Sequence, residues 1–386
     1  MIPLKARFSE TCTPPIRSKS LWEVQNSCRL AYHLKIVKPD QTRTDAPKPL
    51  SLVEELPFGV VMATAALSQI AKLVHFTIAV KPFVWLAVAE VILIVAFRIP
   101  KIRFGFKIDP QVSTHTREYR FNPGMFTIPL GISVTAAGVL QNYPGTLVIL
   151  GISLYIMAWL CEIGFLFDLA KHLAALVLSE IDGGWFLIPA SFLSLGATSL
   201  LCASRLGQGY HHLLFLTAMT SSVIGVVGYY LVVVLTVFRL LYRGFPKTHI
   251  VLWWISAGCA GLSSFALAKQ LSPVHISLSN TTFAILKFID TMTWSFGLLL
   301  LMPIVWFSLV HLFRLRHFPK SIPWPPTFST AVFALGSFAT GALVRSEWVY
   351  DLGVVTGTVA LVLWAVTVIL IFIEKLNQAK QRFGQA

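Results

Sequence analysis

Residues 251–268 read VLWWISAGCAGLSSFALA, and residues 290–313 read DTMTWSFGLLLLMPIVWFSLVHLF. Both are continuous apolar runs without the strict alternation of a barrel strand. In hydrocarbon, a backbone must satisfy its own polar groups, so each run reads as a membrane-spanning helix. The two differ in bulk. Half of the first is Gly, Ala or Ser, whereas the second is dominated by Leu, Phe, Trp, Met and Ile.

That contrast repeats along the chain. Apolar runs fall at about 57–74, 83–98, 123–140, 145–167, 186–204, 218–242, 251–268, 290–313, 329–344 and 353–373. Gly, Ala, Ser, Thr and Pro make up 47 of the 89 residues in the odd runs but only 29 of the 109 in the even runs. Small residues let helices approach closely, and bulky ones suit lipid contact. The pattern predicts an all-α integral membrane protein: ten transmembrane helices forming five helical hairpins, each with one inner and one outer helix. Five slim inner helices in a ring would enclose a narrow central pore; a solid inner bundle is the competing arrangement.

Composition agrees with a membrane domain. Of 386 residues, 55% are hydrophobic and 12% charged, about half the charged share of a soluble domain. Mean hydropathy is +0.72. Net charge is +14, but the basic residues gather in tails and loops, which points to membrane topology rather than nucleic acid. With an even span count, the side holding both termini carries 25 of the 31 Lys and Arg. The opposite side holds Lys72, Lys81, Arg205, Lys269, Lys287 and Arg345. The positive-inside rule therefore puts both termini in the cytoplasm and the protein in the cell (plasma or inner) membrane. Residues 1–48 read as a basic, largely disordered cytoplasmic tail without a signal peptide. Residues 49–375 read as the transport domain, and 376–386 as a second cytoplasmic tail.

The candidate chemistry lies in the inner runs. Pro and Gly mark them: Gly59, Pro129, Gly131, Pro189, Gly196, Gly261 and Gly336. Interior prolines kink helices and free backbone groups, which are tolerated at membrane depth beside water or protein. Phe126, Phe192, Phe265 and Phe333 also fall there, and an aromatic ring can close a narrow pore by exclusion or dewetting. The membrane carboxylates are Glu90, Glu162 and Asp290, all in even runs. Glu162 and Asp290 lie near run ends and read as solvated; Glu90 is mid-run. A passage without acidic groups does not repel anions, and basic residues at its mouths attract them. No hydrolase, zinc-protease or P-loop motif is present, so neither an enzyme nor ATP-driven transport is indicated. The cysteine and histidine spacings indicate no metal, and no cofactor is expected.

Five stretches carry a family resemblance. Leu56-Pro-Phe-Gly-Val-Val-Met-Ala-Thr-Ala-Ala-Leu-Ser68 resembles the first helix of the tellurite-resistance/dicarboxylate transporter family, whose superfamily includes the slow-type anion channels. Phe126-Thr-Ile-Pro-Leu-Gly131, Gly184-Trp-Phe-Leu-Ile-Pro189, Trp253-Trp-Ile-Ser-Ala-Gly258 and Val332-Phe-Ala-Leu-Gly336 are similar to its third, fifth, seventh and ninth. The resemblance implies five hairpins around a central pore, assembled as a homotrimer, passing small inorganic anions or carboxylates. A secondary carrier for C4-dicarboxylates, sulfite or tellurite-related oxyanions, with or without proton coupling, is the alternative. In channel members a phenylalanine of the ninth helix occludes the pore, and Phe333 matches it. Ala334 stands where the family often has Pro. The expected partners are an anionic solute, membrane lipid and two further copies of the chain, with no nucleic acid.

Overall fold

A computed structural model describes residues 56–105, 122–172, 181–243, 250–271, 279–315 and 324–383. The chain divides into two units, Met1–Leu50 and Ser51–Ala386, and the described residues all belong to the second. The expected N-terminal tail lies outside them. Ten long helices are present among them: α1 (Leu56–Leu73), α2 (Val80–Gly105), α3 (Thr127–Asn142), α4 (Leu147–His172), α5 (Leu187–Arg205), α6 (Gln208–Arg243), α7 (Trp254–Gln270), α8 (Asn280–Leu315), α9 (Trp324–Val344) and α10 (Glu347–Phe383). Helix α10 continues well past residue 376, so most of the expected C-terminal tail is helical.

The odd helices form a closed ring. α1 packs on α3, α3 on α5, α5 on α7, α7 on α9, and α9 returns to α1. Each even helix packs on the odd helix before it, as a hairpin demands, and also touches the next odd helix in the ring. Burial separates the layers. The spans containing α3, α5 and α9 are 78–89% buried, against 22–33% for those of the five even helices. Eight helices are long and apolar enough to cross a membrane. The other two are α1, whose apolar stretch is Gly59–Leu73, and α7, of 17 residues. Both stand inside the ring, where protein rather than lipid covers them, so they need less hydropathy.

Local sequence explains how the inner helices begin. A 3₁₀ turn leads into α3 (Pro123–Phe126), α5 (Gly183–Phe186) and α7 (Ile250–Trp253). Before the first two, an acceptor side chain caps the turn: Gly124 N–H donates to Asn122 Oδ1 at 2.9 Å, and Gly184 N–H to Asp182 Oδ1 at 2.8 Å. Such caps satisfy donors that a helix start leaves orphaned. The caps belong to an internal repeat, Asn-Pro-Gly-Met-Phe-Thr-Ile-Pro at 122–129 and Asp-Gly-Gly-Trp-Phe-Leu-Ile-Pro at 182–189. Its phenylalanines do the same work: Phe126 packs on Phe165 of α4 (5.9 Å between centroids), and Phe186 on Tyr229 of α6 (5.8 Å).

The repeat also corrects the expected kinks. Pro129 and Pro189 lie in the first turns of α3 and α5, positions that tolerate a missing N–H. The prolines well inside a helix belong to outer helices: Pro303 in α8 and Pro100 in α2. The inner helices therefore do not expose freed backbone at mid-membrane through proline.

Helix ends also depart from the hydropathy runs. α6 and α8 start about ten residues before their apolar runs. Polar turns such as Gly207-Gln-Gly-Tyr-His-His212 continue the helix because its hydrogen bonds are internal, whatever the side chains face.

Glycine closes the ring. A Cβ on Gly336 would strike the carbonyl of Gly261, and one on Gly261 would fall 2.9 Å from the Phe333 nitrogen. At Gly258 it would lie 2.8 Å from Ser329 Cα. α7 and α9 thus touch backbone to backbone, the approach that only small residues permit. On the α1–α9 seam, Gly59 faces the indole of Trp324 in the same way.

Gly336→Ala is expected to destabilise the detergent-solubilised protein by about 1–3 kcal/mol, the usual range for overpacking. Gly164→Ala, where no atom lies within 4 Å of the added carbon, is expected to be neutral or slightly stabilising. Thermal unfolding of the two variants tests the comparison.

Candidate functional site

A cavity of about 190 Å³ lies inside the ring, toward the C-terminal ends of the inner helices, and all five contribute to its wall. Gln69 comes from α1, Val134, Ala137 and Gln141 from α3, and Ser194, Thr198, Leu201 and Ser204 from α5. Leu262, Phe265 and Lys269 come from α7, and Val332 and Leu335 from α9. Within each helix these residues recur at three- and four-residue steps, marking one face turned to the axis. Lys269 is the charged residue among the lining side chains, and its ammonium stands 5.7 Å above the Phe265 ring, a cation–π distance.

Polar lining groups are tied into the wall. Ser194 Oγ donates to Ser133 Oγ at 3.1 Å, Thr198 Oγ1 to the Ser194 carbonyl at 2.8 Å, and Ser204 Oγ to the Leu201 carbonyl at 2.8 Å. A hydroxyl whose proton goes to a carbonyl offers its lone pairs, not a donor, to whatever enters. One or two turns back along the same five faces stand Met62, Leu130, Leu187, Ile255 and Phe328. All five are fully buried in one apolar cluster. The vestibule is lined by apolar and polar side chains together, and the helical period sets these five apolar residues below it. A second cavity of about 210 Å³ lies outside the ring between α6 and α8, lined by apolar residues such as Val233, Phe296 and Pro303.

Of the residues singled out from sequence, Phe265 lines the vestibule. Phe333 does not. Its ring stacks on Trp294 of α8, 6.2 Å between centroids, in a cluster with Val349. Its neighbours Val332 and Leu335 hold the axial face, and a helix turns each successive side chain by about 100°. The Phe333 ring packs into the seam between inner and outer helices. Phe126 is held against Phe165, and Phe192, Pro129 and Gly131 are buried without lining the cavity. Pro189 sits near Gly228 of α6, and Gly196 faces Ser222 and the Ala218 carbonyl of α6. Gly59, Gly261 and Gly336 fill inter-helix seams. The glycines shape the ring from its joints, not from its lumen.

The carboxylates also depart from expectation. Glu162 is fully buried and accepts a hydrogen bond from Ser191 Oγ of α5 at 2.9 Å. Asp290 is fully buried beside Thr340 of α9. Neither is solvated, because α4 and α8 extend beyond their apolar runs and carry these residues inward. Glu90 sits beside Thr64 of α1. Each of these three carboxylates thus stands beside a hydroxyl of an inner helix.

Sequence reasoning placed Lys269, with Arg205 and Arg345, at the external ends of inner spans, but named neither its contact with the vestibule nor the five apolar residues below it. The available signal was the three-to-four-residue spacing back from Lys269 through Phe265 and Leu262.

Comparison with known proteins agrees with this architecture. The family described as voltage-dependent anion channel matches residues 57–372, most of the chain. The uncharacterized membrane protein Rv1735c of Mycobacterium tuberculosis H37Rv is 25% identical over 151 residues, covering 38% of this chain and 74% of the relative. The protein MT1776 of strain CDC 1551 matches to the same extent.

Phe333→Ala is expected to cost about 3–5 kcal/mol of stability by leaving a cavity against Trp294, without raising solute flux. Thermal unfolding and flux measured on the same preparation test this; a stable variant with raised flux would overturn the placement.

Proposed function

The chain belongs to the voltage-dependent anion channel family, and we propose that it passes small anions down their gradient through the lumen of the five-helix ring. The carrying observation is the single vestibule to which all five inner helices contribute. It has a basic residue and no carboxylate among its lining side chains. Anions meet no repelling charge there, and an ammonium raises their local concentration.

In this reading the constriction of Met62, Leu130, Leu187, Ile255 and Phe328 is the gate. Narrow apolar walls exclude water, and an ion cannot cross without its hydration or a substitute for it. Small inorganic anions and short carboxylates fit the vestibule. The basic loops orient both termini to the cytoplasm of a cell (plasma or inner) membrane, which turns the vestibule outward. Assembly as a homotrimer, with one passage per subunit, is part of the same proposal.

The test is flux in proteoliposomes, comparing chloride, nitrate, sulfite and malate with and without a pH gradient. Anion flux that follows the electrochemical gradient and ignores pH is the expected result. Flux that requires a pH gradient would indicate the carrier, and none with any anion would sink the proposal. Widening the constriction by Phe328→Leu or Met62→Ala is expected to raise the flux about tenfold, the effect of lowering a barrier by about 1.4 kcal/mol.

A further inference from the structure

The ends of three inner helices carry a basic residue in the last turn: Lys72 on α1, Arg205 on α5 and Lys269 on α7. Such charges commonly offset a helix dipole, and Arg205 fits that role, since its Nε donates to the Leu140 carbonyl at the end of α3 at 3.0 Å. Lys269 is placed differently. It lines the vestibule, and its ammonium leans over the Phe265 ring instead of its helix's carbonyls. Lys72 is close enough for its charge to act on Lys269, although α1 and α7 are not neighbours in the ring. Both lysines stand in the last turn of an inner helix, at the same end of the ring. The acidic residues at this end, Glu347 and Asp351, are exposed on the outer helix α10.

Like charges at one mouth raise the local anion concentration, and low-dielectric walls focus the field. The hydroxyls below offer little competition as donors, because Thr198 and Ser204 give their protons to carbonyls. We propose that Lys269, supported by Lys72, is an anion-capture site at the vestibule mouth that sets apparent anion affinity and anion-over-cation selectivity. This rests on the transport reading above. The ligand class is a small monovalent anion that keeps part of its hydration shell, such as chloride or nitrate.

The experiment is single-channel or macroscopic recording of the full chain in planar bilayers under a KCl gradient. Lys269→Gln is expected to raise the half-saturating chloride concentration ~3–10-fold at low ionic strength, with a smaller effect near 0.15 M, where the Debye length is about 8 Å. It should also move the reversal potential from the chloride value toward zero. Lys269→Glu should do so further, and Lys269→Arg should retain wild-type values. In a Lys269→Cys chain, a positively charged thiol reagent should restore selectivity and a negatively charged one should worsen it. A role confined to the helix end would lower thermal stability and leave all these readouts at wild-type values. Wild-type anion current that Lys269→Gln and Lys269→Glu leave unaltered overturns this inference alone. Absence of anion current in the wild type overturns the transport reading and this inference with it.

Discussion

Backbone contact between inner helices is the constraint on which the rest of the molecule depends. α7 and α9 meet where Gly261 and Gly336 leave no room for a Cβ, and again at Gly258 and Ser329. Five helices close into a ring only if neighbours come this near. Bulky side chains at the same positions would push the axes apart and open the seams. In hydrocarbon the hydrophobic effect does not drive helices together, so tight packing and inter-helix hydrogen bonds must. The glycines allow the first of these.

Spending small residues on the seams decides what the lumen can be made of. Positions turned to the axis are free of that requirement and carry Val, Leu, Phe, Gln, Ser, Thr and Lys. Toward the C-terminal ends of the inner helices, these residues surround open space. One or two turns back along the same helices, Met62, Ile255 and Phe328 are fully buried in one apolar cluster. Vestibule and constriction are two depths of the same five faces, so a change in either acts on the same route.

The outer helices do more than face lipid. Trp364 Nε1 donates to Thr64 Oγ1 at 3.1 Å, Trp294 Nε1 to Ser337 Oγ at 2.9 Å, and Tyr155 bonds Ser199. Glu162 Oε1 accepts from Ser191 Oγ at 2.9 Å. Each bond ties an outer helix to an inner one, and each uses a polar group that would be costly to leave unpaired in hydrocarbon. Their lipid-facing sides carry exposed residues such as Ile92, Leu160, Val227, Trp306 and Phe372. The outer layer thus packs an apolar face with a few paired polar groups against the ring and turns an apolar face outward.

Residue size and hydropathy, which are local properties, made the ten helices and their inner and outer roles legible from sequence. A slim run and a bulky run differ wherever they are placed, and lipid exposure selects between them. Which face of a slim helix meets the axis is not local. It depends on the angle at which two neighbours approach, so Gly59, Gly196, Gly261 and Gly336 turned out to sit in seams, and Phe333 to lie against Trp294. The prolines misled for a related reason. A proline's effect depends on its place in the helix, and the starts of α3 and α5 were set by the capped turns at Asn122 and Asp182. Lys269 looked like a helix-end charge in sequence; only the closing of the ring brought it over the vestibule.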